Sequence, residues 1–193
     1  MYLYKPEKGI PKSIAILFSG GVESVLMYYL YVQFAKEHGC ELNVVTIDRN
    51  GTNIKRVIQK YDNLKEKLND DISWFSLYQS SAENHLSIKE IISELKPVYD
   101  VIALGVNEYY EGILPNSEYQ FAKERIKKSN VVVAPFLDMK KHEVIQKYSE
   151  LGITDYLSYD ESCSISETPC GKCFNCREIK YALELLNENT STR

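Results

Sequence analysis

The chain has no apolar run near the ~18 residues of a membrane span, and its first residues, Met1-Tyr-Leu-Tyr-Lys-Pro-Glu-Lys8, lack the apolar stretch of a signal peptide. It therefore reads as a cytoplasmic protein with no membrane partner. Basic residues are outnumbered, 23 Lys and Arg against 27 Asp and Glu. A net charge of −4 argues against wholesale electrostatic capture of nucleic acid. Histidine is scarce. His38, His85 and His142 show neither metal-ligand spacing nor a partner nucleophile, so each reads as a surface or helix residue. Internal repeats are absent, and so is the Walker A pattern.

What is present is an alternation of short apolar runs with helix-length periodic segments. Strands are expected at 13–18, 42–47, 72–77, 100–104 and 131–134. Helices are expected at 23–38, 53–68, 84–95, 117–128, 139–151 and 175–186, with a frayed tail over 187–193. Such an order implies βαβ units. The expected fold is α/β, with a doubly wound, mostly parallel five-stranded sheet and a C-terminal metal-binding segment. Residues 1–152 would form the nucleotide-binding domain, and 153–193 a segment and helix packed on it.

The first strand runs into Phe18-Ser19-Gly20-Gly21-Val22-Glu23-Ser24 at a helix start. Backbone N–H groups at a helix N-terminus, two glycines and the Ser19 and Ser24 hydroxyls make an anion site suited to phosphate. A plain strand-to-helix turn is the competing reading. Asp48, at the end of the second strand, stands where a ribose or metal contact would lie, or where a turn would be capped.

Four of five cysteines follow the spacing Cys163-x6-Cys170-x2-Cys173-x2-Cys176. Four thiolates close a tetrahedral zinc site with no open position, which makes the site structural. An iron–sulfur cluster and free thiols are the alternatives. Cys40 reads as a buried small hydrophobe rather than a nucleophile.

Together these motifs resemble the 7-cyano-7-deazaguanine synthase family of the PP-loop ATP-pyrophosphatase (adenine nucleotide α-hydrolase-like) superfamily. The resemblance rests on the Ser19–Ser24 loop, Ala103-Leu-Gly-Val-Asn107, Ala134-Pro-Phe-Leu-Asp-Met-Lys-Lys-His-Glu-Val144, Glu150-Leu-Gly-Ile153 and Ser162–Arg177. It implies an ATP-dependent C–N ligase that turns 7-carboxy-7-deazaguanine and ammonia into the nitrile, through an adenylated carboxylate and an amide. An amide-forming relative, a tRNA-thiolating relative and a nucleotide binder without this catalysis are the alternatives.

The implied cofactors are ATP, Mg²⁺ and Zn²⁺, and the implied partners are small molecules, with a homodimer allowed. Phe18, Ser19, Gly20, Gly21, Val22, Glu23, Ser24 and Asp48 would meet ATP and its metal, with Ser19, Glu23 and Ser24 catalytic. Asn107, Glu108, Asn116 and Phe121 would face the base, and the four clustered cysteines would hold zinc. Glu23 stands where the family has Asp, and Pro115-Asn116-Ser117 where it has Pro-Asp-Cys.

Other residues have plainer readings. Tyr28, Tyr29, Tyr31 and Phe34 share helical spacing and suit the core or a subunit contact. Lys140 and Lys141 open a helix and are expected to be solvated, with a reach to phosphate as the alternative. Tyr109, Tyr110 and Tyr119 could stack on a purine-like base, or simply pack.

Overall fold

The structure is a computed structural model. It describes residues 3–49, 54–80, 87–111, 118–157, 163 and 168–191. Five strands form one parallel sheet: β1 (Ser13–Leu17), β2 (Glu41–Arg49), β3 (Ser73–Ser80), β4 (Val101–Leu104) and β5 (Val132–Val133), in the order β3-β2-β1-β4-β5. The helices are α1 (Val22–His38), α2 (Ile54–Lys67), α3 (Ile88–Leu95), α4 (Glu118–Lys128), α5 (Lys141–Glu150) and α6 (Phe174–Ser191).

The strand side chains explain why both faces are covered. Ile14, Ile16, Leu42, Val44, Val101 and Ala103 point to one face, where they meet apolar residues of α1, α2, α5 and α6. Ala15, Val45, Ile102 and Leu104 point to the other, where they meet Ile91 and Leu95 of α3 and Ile126 of α4. Strands buried on both faces read as continuous apolar runs. Tyr28, Tyr31 and Phe34 of α1 lie in the first core, which settles their role as core residues. Cys40 is buried too, its thiol donating to the Pro11 carbonyl at 3.0 Å, and burial raises its pKa.

Several boundaries differ from expectation, β2 and β3 among them, which run on to Arg49 and Ser80. Helix α3 starts at Ile88 rather than near 84, because Ser87 caps it: Glu90 N–H donates to Ser87 Oγ, and Ser87 N–H donates to Glu90 Oε2. Helix α6 continues to Ser191 instead of fraying after Leu186. Strand β5 is two residues long, shorter than the apolar run containing it. Among the described residues no helix is long and apolar enough to cross a membrane.

Strand order reverses between β1 and β4, so the loops that leave these two strands open at the switch point where α/β sheets take their ligands.

Candidate functional site

The Ser-Gly-Gly loop follows the central strand β1. Phe18 N–H donates to the Val45 carbonyl at 2.8 Å, and Thr46 Oγ1 donates to the Phe18 carbonyl at 2.8 Å. The Phe18 ring is buried against Tyr28 and Tyr61, so Phe18 offers the loop its backbone and not its side chain. Gly20 has φ +75°, a left-handed conformation that glycine adopts without strain. A methyl group there would come within 3.6 Å of Val57 and 3.7 Å of the Lys60 stem, so α2 covers this glycine.

Gly21 is the N-cap of the 17-residue α1, and no side chain caps it. The first-turn N–H groups therefore present themselves together with the positive end of the helix dipole. Ser19 is exposed, its Oγ 3.2 Å from Ser24 Oγ. Ser24 is buried, and its hydroxyl donates back to the Gly21 carbonyl at 2.9 Å. Of the two hydroxyls, Ser19 faces outward and Ser24 braces the turn.

Behind the loop lies a cluster of buried charges. The Lys141 ammonium contacts the Glu23 carboxylate and sits 3.0 Å from Glu178 Oε2. Asn107 Nδ2 donates to Glu178 Oε1 at 2.9 Å. Burial works against a charged Lys141, but attraction to Glu23 and Glu178 outweighs it and raises the lysine pKa. Burial raises the Glu178 pKa, against the pull of Lys141 and the Asn107 hydrogen bond.

The expectation of a solvated Lys141 is thus corrected. Two carboxylates from separate elements converge on it, and a buried ammonium without such partners would be too costly. Of its two readings, Tyr110 takes the packing one. It is buried, its hydroxyl accepts from His142 N–H at 3.0 Å, and it lies edge-on to Tyr181, so it packs and cannot stack on a base.

The remaining expected contacts are spread around the switch point. Asp48 is half-buried at the penultimate position of β2. Val22 is buried, and its carbonyl accepts from the Tyr148 hydroxyl at 2.6 Å. Asn107 is buried, with its amide turned toward α6. Glu108 is half-buried, 3.8 Å from the Lys123 ammonium. Asn116 and the Phe121 side chain lie outside the described residues. Lys60, Thr46 and Glu178 are new to the site. None belongs to a motif; the approach of α2 and α6 reveals Lys60 and Glu178, and the pairing of β2 beside β1 reveals Thr46.

The four cysteine sulfurs lie within 4.8 Å of one another, Cys163 and Cys173 buried and the other two half-buried. Sulfurs about 2.3 Å from one tetrahedral ion stand roughly 3.8 Å apart, so the cluster suits a single zinc. A four-iron cluster would place each thiolate on its own iron and spread them wider. Cys173 N–H points at Cys170 Sγ (3.3 Å) and Cys176 N–H at Cys173 Sγ (3.4 Å), donors that favour thiolate. Burial, then hydrogen bonding with Cys173, pushes the Cys176 thiol up to about 12; a bound dication reverses that preference.

Residues 98–187 match the family model for the queuosine biosynthesis protein QueC. That interval contains Asn107, Lys141, Glu178 and the cysteines, but not the Ser-Gly-Gly loop. Among solved structures the chain is similar to the U34-tRNA thiolase NcsA from Methanococcus maripaludis with its [4Fe-4S] cluster. The TM-score is 0.53 at 15% identity, covering 91% of this chain and 66% of the thiolase, just under two thirds of its length. At that identity the likeness is one of fold. A universal stress protein in complex with cAMP aligns at TM-score 0.46 and 12% identity, over 67% of this chain and 100% of its own. No curated protein matches. Residues 98–187, with their cysteine cluster, are thus similar to the QueC family, and the α/β fold of the chain is similar to that of the thiolase NcsA.

Proposed function

We propose that this protein is an ATP-dependent ligase of 7-deazaguanine biosynthesis, converting 7-carboxy-7-deazaguanine and ammonia to 7-cyano-7-deazaguanine in the cytoplasm. The observation that carries this reading is the uncapped Gly20-Gly21 turn at the head of α1, joined through buried charges to the segment that the QueC model matches. ATP is the co-substrate. The Ser19 hydroxyl and the first-turn N–H groups of α1 would donate to its phosphates. The Lys60 stem passes over Gly20 and lines the same loop. Asp48, at the carboxyl edge of the sheet, would offer an oxygen to Mg²⁺ or to the ribose. The four cysteines would hold zinc as scaffold, since four protein ligands leave no position for substrate.

Hydroxide is a poor leaving group and AMP a good one, which is the reason to spend ATP on a carboxylate. The substrate carboxylate oxygen attacks the α-phosphorus and pyrophosphate leaves. Ammonia then displaces AMP and loses a proton to give the amide. A second activation, through the amide oxygen, expels AMP as nitrogen gives up its protons to form the nitrile. Loop donors fixed before the reaction stabilise the charge gathering on the leaving phosphates.

The test is mass spectrometry of purified protein given ATP, Mg²⁺, ammonium and 7-carboxy-7-deazaguanine. Nitrile with matching AMP supports the reading, and accumulation of amide alone assigns the shorter reaction. ATP binding with neither product nor AMP would sink it. That outcome would favour a nucleotide binder, a second reading supported by the engagement of the Glu23 carboxylate with Lys141.

A further inference from the structure

Glu23, Lys141 and Glu178 are 7%, 6% and 1% exposed. Buried ion clusters of this kind seldom add stability over apolar residues of equal volume, so stability is a weak reason for this one. Fixing the register of the elements that supply the charges is a better reason. Glu23 is in the first turn of α1, beside the phosphate loop, and Lys141 opens α5. Glu178 lies two positions beyond Cys176, on the helix that carries the last cysteine.

A second connection reaches the same loop from its other side. Arg56 Nη2 on α2 donates to the Cys163 carbonyl at 3.2 Å. The neighbouring Val57, and Lys60 one turn on, flank Gly20. The cysteine segment is thus linked to both walls of the Ser-Gly-Gly turn.

We infer that the metal-bound cysteine segment sets the geometry of the phosphate loop, through Glu178 and Lys141 on one side and Arg56 on the other. Glu178 and Arg56 are positioning residues, and metal occupancy is coupled to affinity for a polyphosphate. The affinity part of this inference rests on the ATP-binding reading above; the coupling of the loop to the metal does not.

The experiment uses the full metal-loaded chain, with E178Q and R56M as variants. It measures metal content, ATP affinity by calorimetry, and backbone hydrogen exchange over residues 19–24. Helix α3, in the opposite core layer, is the internal control. Both variants are expected to keep one metal per chain and normal exchange in α3. Exchange over 19–24 should quicken, and ATP should bind about fivefold or more weakly, the lower end of ordinary site-to-site coupling. Chelation of the wild-type protein should reproduce both effects. Chelation of the E178Q/R56M double variant should add little, because the links are already cut.

Unchanged exchange over 19–24 in both single variants, or a chelation effect of full size in the double variant, overturns the inference. If chelation also quickens α3, the chain has unfolded globally, and the metal-retaining variants decide. Faster loop exchange in a protein that never binds ATP sinks the ATP reading and leaves the coupling standing; ATP binding with no change in exchange does the reverse.

Discussion

A methyl group on Gly105 would stand 3.1 Å from Glu23 Cβ and 3.2 Å from the Ser24 amide nitrogen. The loop after β4 therefore lies close against the first turn of α1, and a side chain there would push that turn back by a few tenths of an ångström. Substituting Gly105→Ala must move backbone, not a flexible side-chain tip. We expect a loss of about 1–3 kcal/mol in urea denaturation and weaker ATP binding by calorimetry. Unchanged affinity would show that the two loops move independently.

Ser19 is exposed and its hydroxyl bonds within the loop, to Ser24 Oγ and the Gly21 amide, so Ser19→Ala should shift the unfolding midpoint little while weakening ATP binding about tenfold, the effect of one lost charge-assisted hydrogen bond. Ser24→Ala should do the opposite in part, because its hydroxyl braces Gly21 from inside. Equal behaviour of the two variants in paired melting and binding measurements would contradict this division of labour.

Lys141→Met strands two buried carboxylates. The expected cost is about 3–5 kcal/mol, the range for breaking a buried ion pair from one side. The triple variant E23Q/K141M/E178Q removes the stranded charges and should regain much of that loss in chemical denaturation. No recovery would mean that the cost comes from lost packing of the lysine stem.

Elemental analysis should find one zinc per chain, and Cys173→Ser should lose it. Loss of a structural ion is among the few changes that cost about 4 kcal/mol or more. Visible absorption from iron in freshly purified protein would overturn the zinc assignment.

Asp70 supplies the pH dependence. Burial alone would raise its pKa, but hydrogen bonds from Ser73, from Tyr28 and from the Ser73 and Ile72 amides outweigh burial and hold it below the usual carboxylate range. Because the folded pKa is the lower one, Asp70 contributes stability above its unfolded pKa, about 3.9. That contribution fades as pH falls through the folded value. Stability should therefore drop steeply below about pH 4, and Asp70→Asn should flatten that slope in acid titrations of the unfolding free energy while lowering stability at neutral pH.

Much of this architecture can be read from the chain because its signals are local. Ile14–Leu17 and Val101–Leu104 are short apolar runs, and Ser19–Ser24 and the cysteine spacing are compact motifs. The capping box Ser87-Ile-Lys-Glu90 was equally readable, and it sets the start of α3 more accurately than hydrophobic periodicity does. Lys141 shows where such reading ends. A lysine pair opening a helix looks solvated, and only the meeting of α1, α5 and α6 buries its second member. Lys60 and Thr46 enter the site the same way, from elements whose local patterns say nothing of their neighbours. Tyr110 looked available for stacking because its partners, His142 and Tyr181, are remote in sequence.

The Tyr148 hydroxyl grips the Val22 carbonyl across 126 positions, and Arg56 grips Cys163 across 107. During synthesis, then, the first strand and its turn leave the ribosome long before the groups that brace them. Contacts so distant in sequence form slowly and late. A nascent chain stalled before Tyr148 carries the Ser-Gly-Gly turn in full yet lacks its braces, so the turn takes its final shape only after α5 and the cysteine segment arrive. The settled geometry of the turn belongs to the finished fold, and a chain cut before Tyr148 presents the motif without it.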